Sequence, residues 1–468
     1  DNICNVFLGN YAGCRVTGGC NTALGTYALS SGSDLSGDKN VAIGYNVQVA
    51  SDTGSSQLAI GDGTGCWISG DSSYNVTLAG IATAYASGIV SATSYYGDGS
   101  NLSGIATTGD AGFSPDAQGN LYAGTEAGDS SDADTTFNIG IGECALHDNN
   151  AGDYLVGIGF KALCSTTQGC HIAIGQEAGA SQTSGNHNIY LGSCVASNTS
   201  CTNTSNHNFG AGFSVLKGVT TGSCNVAIGM EALSGAVTGG SNVAFGRNAG
   251  GSGMTGSDNT AIGRCSMNGT VTGSNNITLG CKAALYMSSG ADNIALGQLS
   301  LGGADVTGTS NVAIGKESGQ LVTSGQYNVF LGDKAGQCAT SGSSNFIGGY
   351  GAGRCNGTAS QNVKIGYMSG LVGTGSHVIT IGAEAGRHGT THACSIFIGK
   401  AAGGCMCSGT ANIAVGTNAL LGSSTLADNT AYCNIAIGYE AGKSSTTANS
   451  NTLIGHQSGQ AVTTGTNN

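Results

Sequence analysis

One phrase returns through the chain at a fixed interval, and that interval limits the fold more than any other feature. Between Asn225 and Leu301 it reads Asn225-Val-Ala-Ile-Gly229, Asn242-Val-Ala-Phe-Gly246, Asn259-Thr-Ala-Ile-Gly263, Asn276-Ile-Thr-Leu-Gly280 and Asn293-Ile-Ala-Leu-Gly297, with consecutive glycines 17 residues apart each time. A strict period of this length is the signature of a solenoid or array, in which each unit buries its apolar residues only by stacking on its neighbours. Seventeen residues cannot hold a strand, a helix of normal length and two connections, and the i, i+3, i+4 spacing of an amphipathic helix is absent. A five-residue extended segment followed by a second short strand fits, with glycine and asparagine at the corners that demand positive φ. The expected fold is therefore all-β: a parallel β-solenoid, or β-roll, of roughly 17-residue coils.

Because side chains alternate along a strand, Val226 and Ile228 share one face. The expected core ladder is Val226, Ile228, Val243, Phe245, Ile262, Ile277, Leu279, Ile294 and Leu296, with Gly229, Gly246, Gly263, Gly280 and Gly297 at the turns. The asparagine that opens each strand either stacks on its counterpart in the next coil or simply suits a turn. The residue between the two core positions then faces outward. It is most often Ala, elsewhere residues such as Phe7, Thr77, Tyr190, Thr278, Phe330, Thr380, Phe397 and Leu453, and charged only at Lys364. An outward face so poor in charge is expected to be covered by another copy of the chain, with three parallel copies as the closed arrangement.

Along the chain the repeat is already under way at Asn5-Val-Phe-Leu-Gly9 and falters after Gln57-Leu-Ala-Ile-Gly61. Residues 1–65 read as a first solenoid block, 66–118 as an irregular interruption or capping segment and 119–468 as a second, long block. The interruption holds the only tryptophan, Trp67, and the only proline, Pro115, and Asn75 to Ala79 reads as the close of the first block. In the second block the larger glycine steps, Gly192 to Gly212 and Gly416 to Gly438, read as loop insertions, because a change of strand register would turn core residues outward. Roughly 24 coils at about 4.8 Å each predict a rod on the order of 110 to 120 Å. Charges such as Glu231, Lys316, Glu317, Asp333, Lys334 and Glu440 gather just after the glycine, where a solvated outer strand is expected.

Composition excludes several classes. Eighty-four of 468 residues are glycine and one is proline, without the Gly-X-Y period of collagen. Only 9% are charged, and the net charge of −12 is spread thinly, which argues against nucleic-acid binding. No run of apolar residues is long enough for a membrane span. The chain starts at Asp1 and both ends fall inside the repeat, as expected of a segment or processed form with a leader or anchoring domain beyond it.

Eighteen cysteines are many for a cytosolic protein. Cys14 with Cys20, and Cys164 with Cys170, are separated by the same polar loop and are candidate disulfides; the other possibility is that cysteine fills narrow buried sites. Zinc spacing is approached only at Cys405-Met-Cys407. Gly61-Asp62-Gly63 and Gly97-Asp98-Gly99 suggest calcium, yet the nonapeptide that binds it in other β-rolls is missing. Thr221, Thr238, Thr272 and Thr323 lie in loops, not in the flat ranks of an ice-binding face. The histidines, among them His147, His187, His207, His377 and His388, have no nucleophile at a recurrent offset. Neither catalysis nor a cofactor is expected.

The Asn-Val-Ala-Ile-Gly phrase, followed by Ala-Gly and a Thr-Gly-Ser-Asn loop, resembles the head repeats of trimeric autotransporter adhesins, whose repeat is shorter. That resemblance implies a left-handed parallel β-roll assembled as a trimer. The stretch Ser94-Tyr-Tyr-Gly-Asp-Gly-Ser-Asn-Leu-Ser-Gly-Ile105 is similar to segments of phage tail-fibre and virion-fibre proteins. Together they imply a structural fibre shaft with an adhesive, host-recognition role on a virion, or alternatively a bacterial surface adhesin or extracellular filament subunit. The partners implied are other copies of the chain and a host surface receptor or glycan.

Overall fold

The computed structural model describes residues 4–71, 73, 76–78 (backbone), 115–198, 203–425 and 429–468. They form two compact units, Asp1–Asn101 and Leu102–Asn468. Both are parallel β-solenoids with coils of about 17 residues and, among the described residues, no helix. Each coil contributes one three-residue strand, the segment between the repeated Asn and Gly. Successive strands pair in parallel and in register, Val226 beside Val243, Ala227 beside Ala244 and Ile228 beside Phe245. In the second unit twenty such strands run from Leu121–Ala123 to Thr452–Ile454 in one unbroken ladder. Register also holds across the two long coils, Ile189 beside Phe209 and Ile413 beside Ile435, so their extra residues lie in the loops.

In the first unit four parallel strands, Val6–Leu8 to Leu58–Gly61, are extended by Cys66–Gly70 and Val76–Leu78, both antiparallel to their neighbours. The described beginning of the expected irregular interruption is thus regular strand, while 79–114, with Gly97-Asp98-Gly99, lies outside the described residues. The expected second strand is only vestigial. It appears as the two-residue strands Gly218–Val219, Ala236–Val237 and Gly253–Met254 and a few isolated bridges such as Cys355 beside Val372. Elsewhere the far side of the coil is turn, joined to the next coil by backbone bonds such as Thr272 N–H to Ser288 O, 2.7 Å.

The inside and outside of the strand are the reverse of the expectation. Ala227, Ala244, Ala261, Thr278 and Ala295 are fully buried. The expected core ladder faces out: Val226, Val243, Phe245, Ile277 and Leu279 are exposed, and Ile228, Ile262, Ile294 and Leu296 are half-buried. Tyr190, Phe330, Thr380, Phe397, Leu453 and Lys364, expected outside, are buried, as is Thr278; Phe7 in the first described strand is partly exposed, and the Thr77 side chain lies outside the described residues. The reason is the asparagine. Two residues before the central position, it shares that residue's face, and the inside is where its amide finds partners. Asn276 Nδ2 donates to the Gly290 carbonyl at 2.8 Å and to Asn259 Oδ1 at 3.0 Å, while its Oδ1 accepts the Asn293 backbone N–H at 3.0 Å. The same linkage runs from Asn259 to Asn345, so the asparagines stack from coil to coil as well as closing their own loops.

The interior is thin, and residue volumes compensate across it. Where the central residue is Gly210, the position four after the turn glycine is Leu216; where it is Ala227, Leu233 fills that site. Where it is Phe330, the site is Gly336, and a Cβ there would lie 2.3 Å from the ring. The expected turn glycines are confirmed by geometry. Gly229, Gly246, Gly263, Gly280 and Gly297 have φ from +120° to +141°, and a Cβ on any of them would meet the next coil's backbone within 2.5 to 2.9 Å.

Two outcomes follow for stability in urea. Asn276→Ala strands the Asn293 N–H and the Gly290 carbonyl and should cost roughly 1–3 kcal/mol for each. Phe330→Ala, which leaves Gly336 facing a void, should cost roughly 3–5 kcal/mol, and Val329→Ala on the outer face much less.

Candidate interaction surface

With the central residue turned in, the two ends of each strand turn out. In the twenty-strand ladder they form two parallel columns, one led by Leu121, Ile139 and Val156 and the other by Ala123, Ile141 and Ile158. None of these forty positions is charged, and Thr260 and Thr452 alone are polar. Much of this surface is open: Phe245 is 53% exposed and Leu279 50%. At about 4.8 Å per rung and about 10 Å across two outward side chains, the stripe is roughly 90 Å long and on the order of 900 Å². A contiguous apolar patch of that size exceeds the few hundred Å² that monomeric proteins ordinarily expose.

Polar groups begin at the turn that follows each glycine. The segment is not the expected outer strand. It is a tight turn whose third residue has left-handed backbone, Glu231 at φ +57°, with the Ala232 N–H bonded to the Gly229 carbonyl. Side chains here bond along the coil stack, Asn248 Nδ2 to Glu231 Oε2 at 2.9 Å and Gln337 Nε2 to Glu317 Oε2 at 2.8 Å. Lys443 pairs with Glu440 at 2.7 Å, and this ammonium together with the Gln457 amide holds the Glu440 carboxyl below the usual range. Equivalent aromatic positions stack face to face in successive coils, Tyr11 on Tyr27, Phe137 on Tyr154, His187 on His207 and Tyr350 on Tyr367, with ring centroids 5.1 to 5.7 Å apart. These groups tie rung to rung and frame the apolar stripe.

Among the described residues three basic side chains lie inside the solenoid. His171 stands where other coils have Asn; its Nδ1 accepts the Asn188 N–H at 3.2 Å, its Nε2 has no partner, and burial pushes it down to about 4. Lys364 occupies a central position, with its stem against Gly353 and Gly370 and its Nζ donating to the Gly370 carbonyl at 3.3 Å. It reaches a small cavity that Thr380 and His392 also line and that no carboxylate enters. Burial pushes the ammonium down to about 8 and His392 down to about 4, the latter with an unpartnered Nε2.

The other sequence-level candidates end as follows. Cys14, Cys20 and Cys170 are exposed and Cys164 is half-buried. Cys14 and Cys20 do not occupy equivalent corners: Cys20 has the left-handed conformation directly before the buried Asn21, whereas Cys14 follows the Gly9 turn. Asp62 accepts the Thr64 N–H at 3.1 Å, and the Thr64 hydroxyl is the main cause of its lowered carboxyl range, so the turn satisfies its own carboxylate. Among the described residues no three His, Cys, Asp or Glu side chains gather as a metal site, and no helix is long and apolar enough to cross a membrane. The sequence reasoning missed the aliphatic stripe itself. Its signal was present in the Asn-x-Ala spacing, which places the amide and the small residue on one face.

Lys364 gives the structure a pH dependence of known sign. Unfolding restores it to the ordinary value of 10.5, so between about 8 and 10.5 the unfolded chain binds the proton more tightly and stability rises with pH. In urea titrations the deficit of wild type relative to Lys364→Met should shrink across that window by an amount on the order of 3 kcal/mol. Below about 8 it should be constant.

No protein-family model, no curated protein and no solved structure matches the chain. Its place among proteins rests on the fold itself, a parallel β-solenoid repeat protein with coils of about 17 residues.

Proposed function

We propose that the chain is a structural fibre shaft with an adhesive, host-recognition role, of the kind found in phage or virion tail fibres, and that it works as a parallel homotrimer. The observation that carries this reading is the uncharged double column of aliphatic side chains along the second unit. Water is a poor neighbour for such a face, and a second copy is a good one, because its rungs repeat at the same interval and can interdigitate at every step. About 900 Å² per chain is also what a stable interface buries on each partner. Three parallel copies can bring the three stripes to a common axis, a closed arrangement in which no stripe is left over.

The tightly repeated backbone bonding suits a mechanical role, since rigidity and reach follow from stacking and need no catalytic centre. Such a shaft acts on a virion or at a cell surface, where it holds a receptor- or glycan-contacting part away from the particle. The Asn-Val-Ala-Ile-Gly phrase favours a second setting, a bacterial surface adhesin or extracellular filament subunit, with the same shaft physics.

Sedimentation equilibrium at micromolar concentration tests the assembly: the expected mass is about 137 kDa, three times the 45.7 kDa chain. A monomer would overturn the reading. Leu279→Lys, which places a charge in the stripe without touching the interior, should weaken the trimer at least tenfold, about 1.4 kcal/mol, while leaving the far-UV circular dichroism of the coil unchanged.

A further inference from the structure

Among the described residues of the second unit the coil register sets one pair of thiols at equivalent positions of successive turns, as it sets Cys4 beside Cys20 in the first unit. Cys338 and Cys355 are 17 residues apart, one coil, and occupy the same position in it. The Cys338 N–H donates to the Arg354 carbonyl at 2.7 Å and the Thr340 N–H to the Gly357 carbonyl at 2.8 Å, which sets Cys338 directly beside Cys355. Cys355 in turn bridges Val372 in the following coil. Adjacent positions in such a stack have Cα atoms about 4.8 Å apart, inside the 4.4–6.8 Å span of disulfides. Arg354 Nε bonds to Gln337 Oε1 at 2.9 Å on one side, and the Asn345 Nδ2 to Ala359 carbonyl bond at 2.9 Å holds the loop on the other. Burial, and next the neighbouring Cys355 thiol, push the Cys338 thiol up.

We propose that Cys338 and Cys355 are a disulfide-forming site that staples one coil to the next, oxidised by exchange with a small disulfide such as oxidised glutathione. Cys355 is exposed and Cys338 half-buried, which fixes the order of events. The Cys355 thiolate attacks one sulfur of glutathione disulfide and expels one glutathione thiolate. The Cys338 thiolate then attacks the Cys355 sulfur of the mixed disulfide and expels the second. Two protein thiols lose two protons and two electrons, and one glutathione disulfide becomes two glutathione molecules. The link differs from the Cys14–Cys20 and Cys164–Cys170 pairs suggested by loop spacing, because it joins equivalent positions of neighbouring coils.

The sequence makes the test direct. Lys334, Arg354 and Lys364 let trypsin release the two cysteines on separate peptides, 335–354 and 355–364, each with a single cysteine. The full chain, reduced and then equilibrated with oxidised glutathione, is quenched with N-ethylmaleimide and digested. The expected result is a linked pair of these peptides, at least tenfold more abundant than any other pairing of cysteines within the second unit, and lost in Cys338→Ser. In that variant Cys355 should instead retain glutathione as a mixed disulfide. Full alkylation of both cysteines after oxidation of the folded chain, or preferred linkage of either to a different cysteine, would overturn the proposal. Neither result bears on the trimer, which sedimentation tests separately.

Discussion

Everything in this molecule leans on a buried amide. The asparagine at the head of most strands carries its amide into a closely packed interior, and the coil is shaped so that the amide finds partners there, Asn21 Nδ2 and Asn362 Nδ2 excepted. Its Nδ2 closes the loop of its own coil, as Asn259 does on the Gly273 carbonyl, and its Oδ1 takes the backbone N–H of the next asparagine. One residue type thus fixes both the size of a coil and its alignment on the following one. His171 and Ser395, which stand in for asparagine, keep only part of this: each accepts the next coil's N–H, from Asn188 and Asn412 respectively.

The backbone accepts strain to make this possible. Every coil turns corners in left-handed conformation, and many are occupied by residues with a Cβ, such as Cys224, Glu231 and Leu233, where each such residue costs about 1–2 kcal/mol. The offset is that their N–H groups bond to the adjacent coil, Cys224 to Asn206 and Leu233 to Ala249. The corners are therefore part of the stacking. Glycine is required at the corner directly after the strand, where the neighbouring backbone comes too close for any Cβ.

A thin interior filled by Ala, with Leu, Met or an aromatic ring where a facing glycine leaves space, has a consequence for function. The aliphatic residues at the two ends of each strand have no room inside and are turned to the surface, where they line up because the coils do. A mutation that enlarges the interior is opposed by close packing, whereas the outer stripe tolerates size but not charge. The features that favour self-association are in this sense a by-product of how narrow the coil is.

Much of this was legible in the residues alone. The 17-residue period, the parallel strand, the turn glycines and the placement of insertions in loops all follow from local spacing, and the structure repeats them. The direction in which the strand faces did not follow from hydrophobicity, since Val226 and Ile228 look like core and Ala227 does not. Only the stacked coil decides it: the space enclosed by seventeen residues is too small for two aliphatic side chains per strand, and the asparagine must be inside to be satisfied. The pairing of Cys338 with Cys355 is likewise a matter of register between coils, which distance along the chain suggests and three-dimensional stacking fixes.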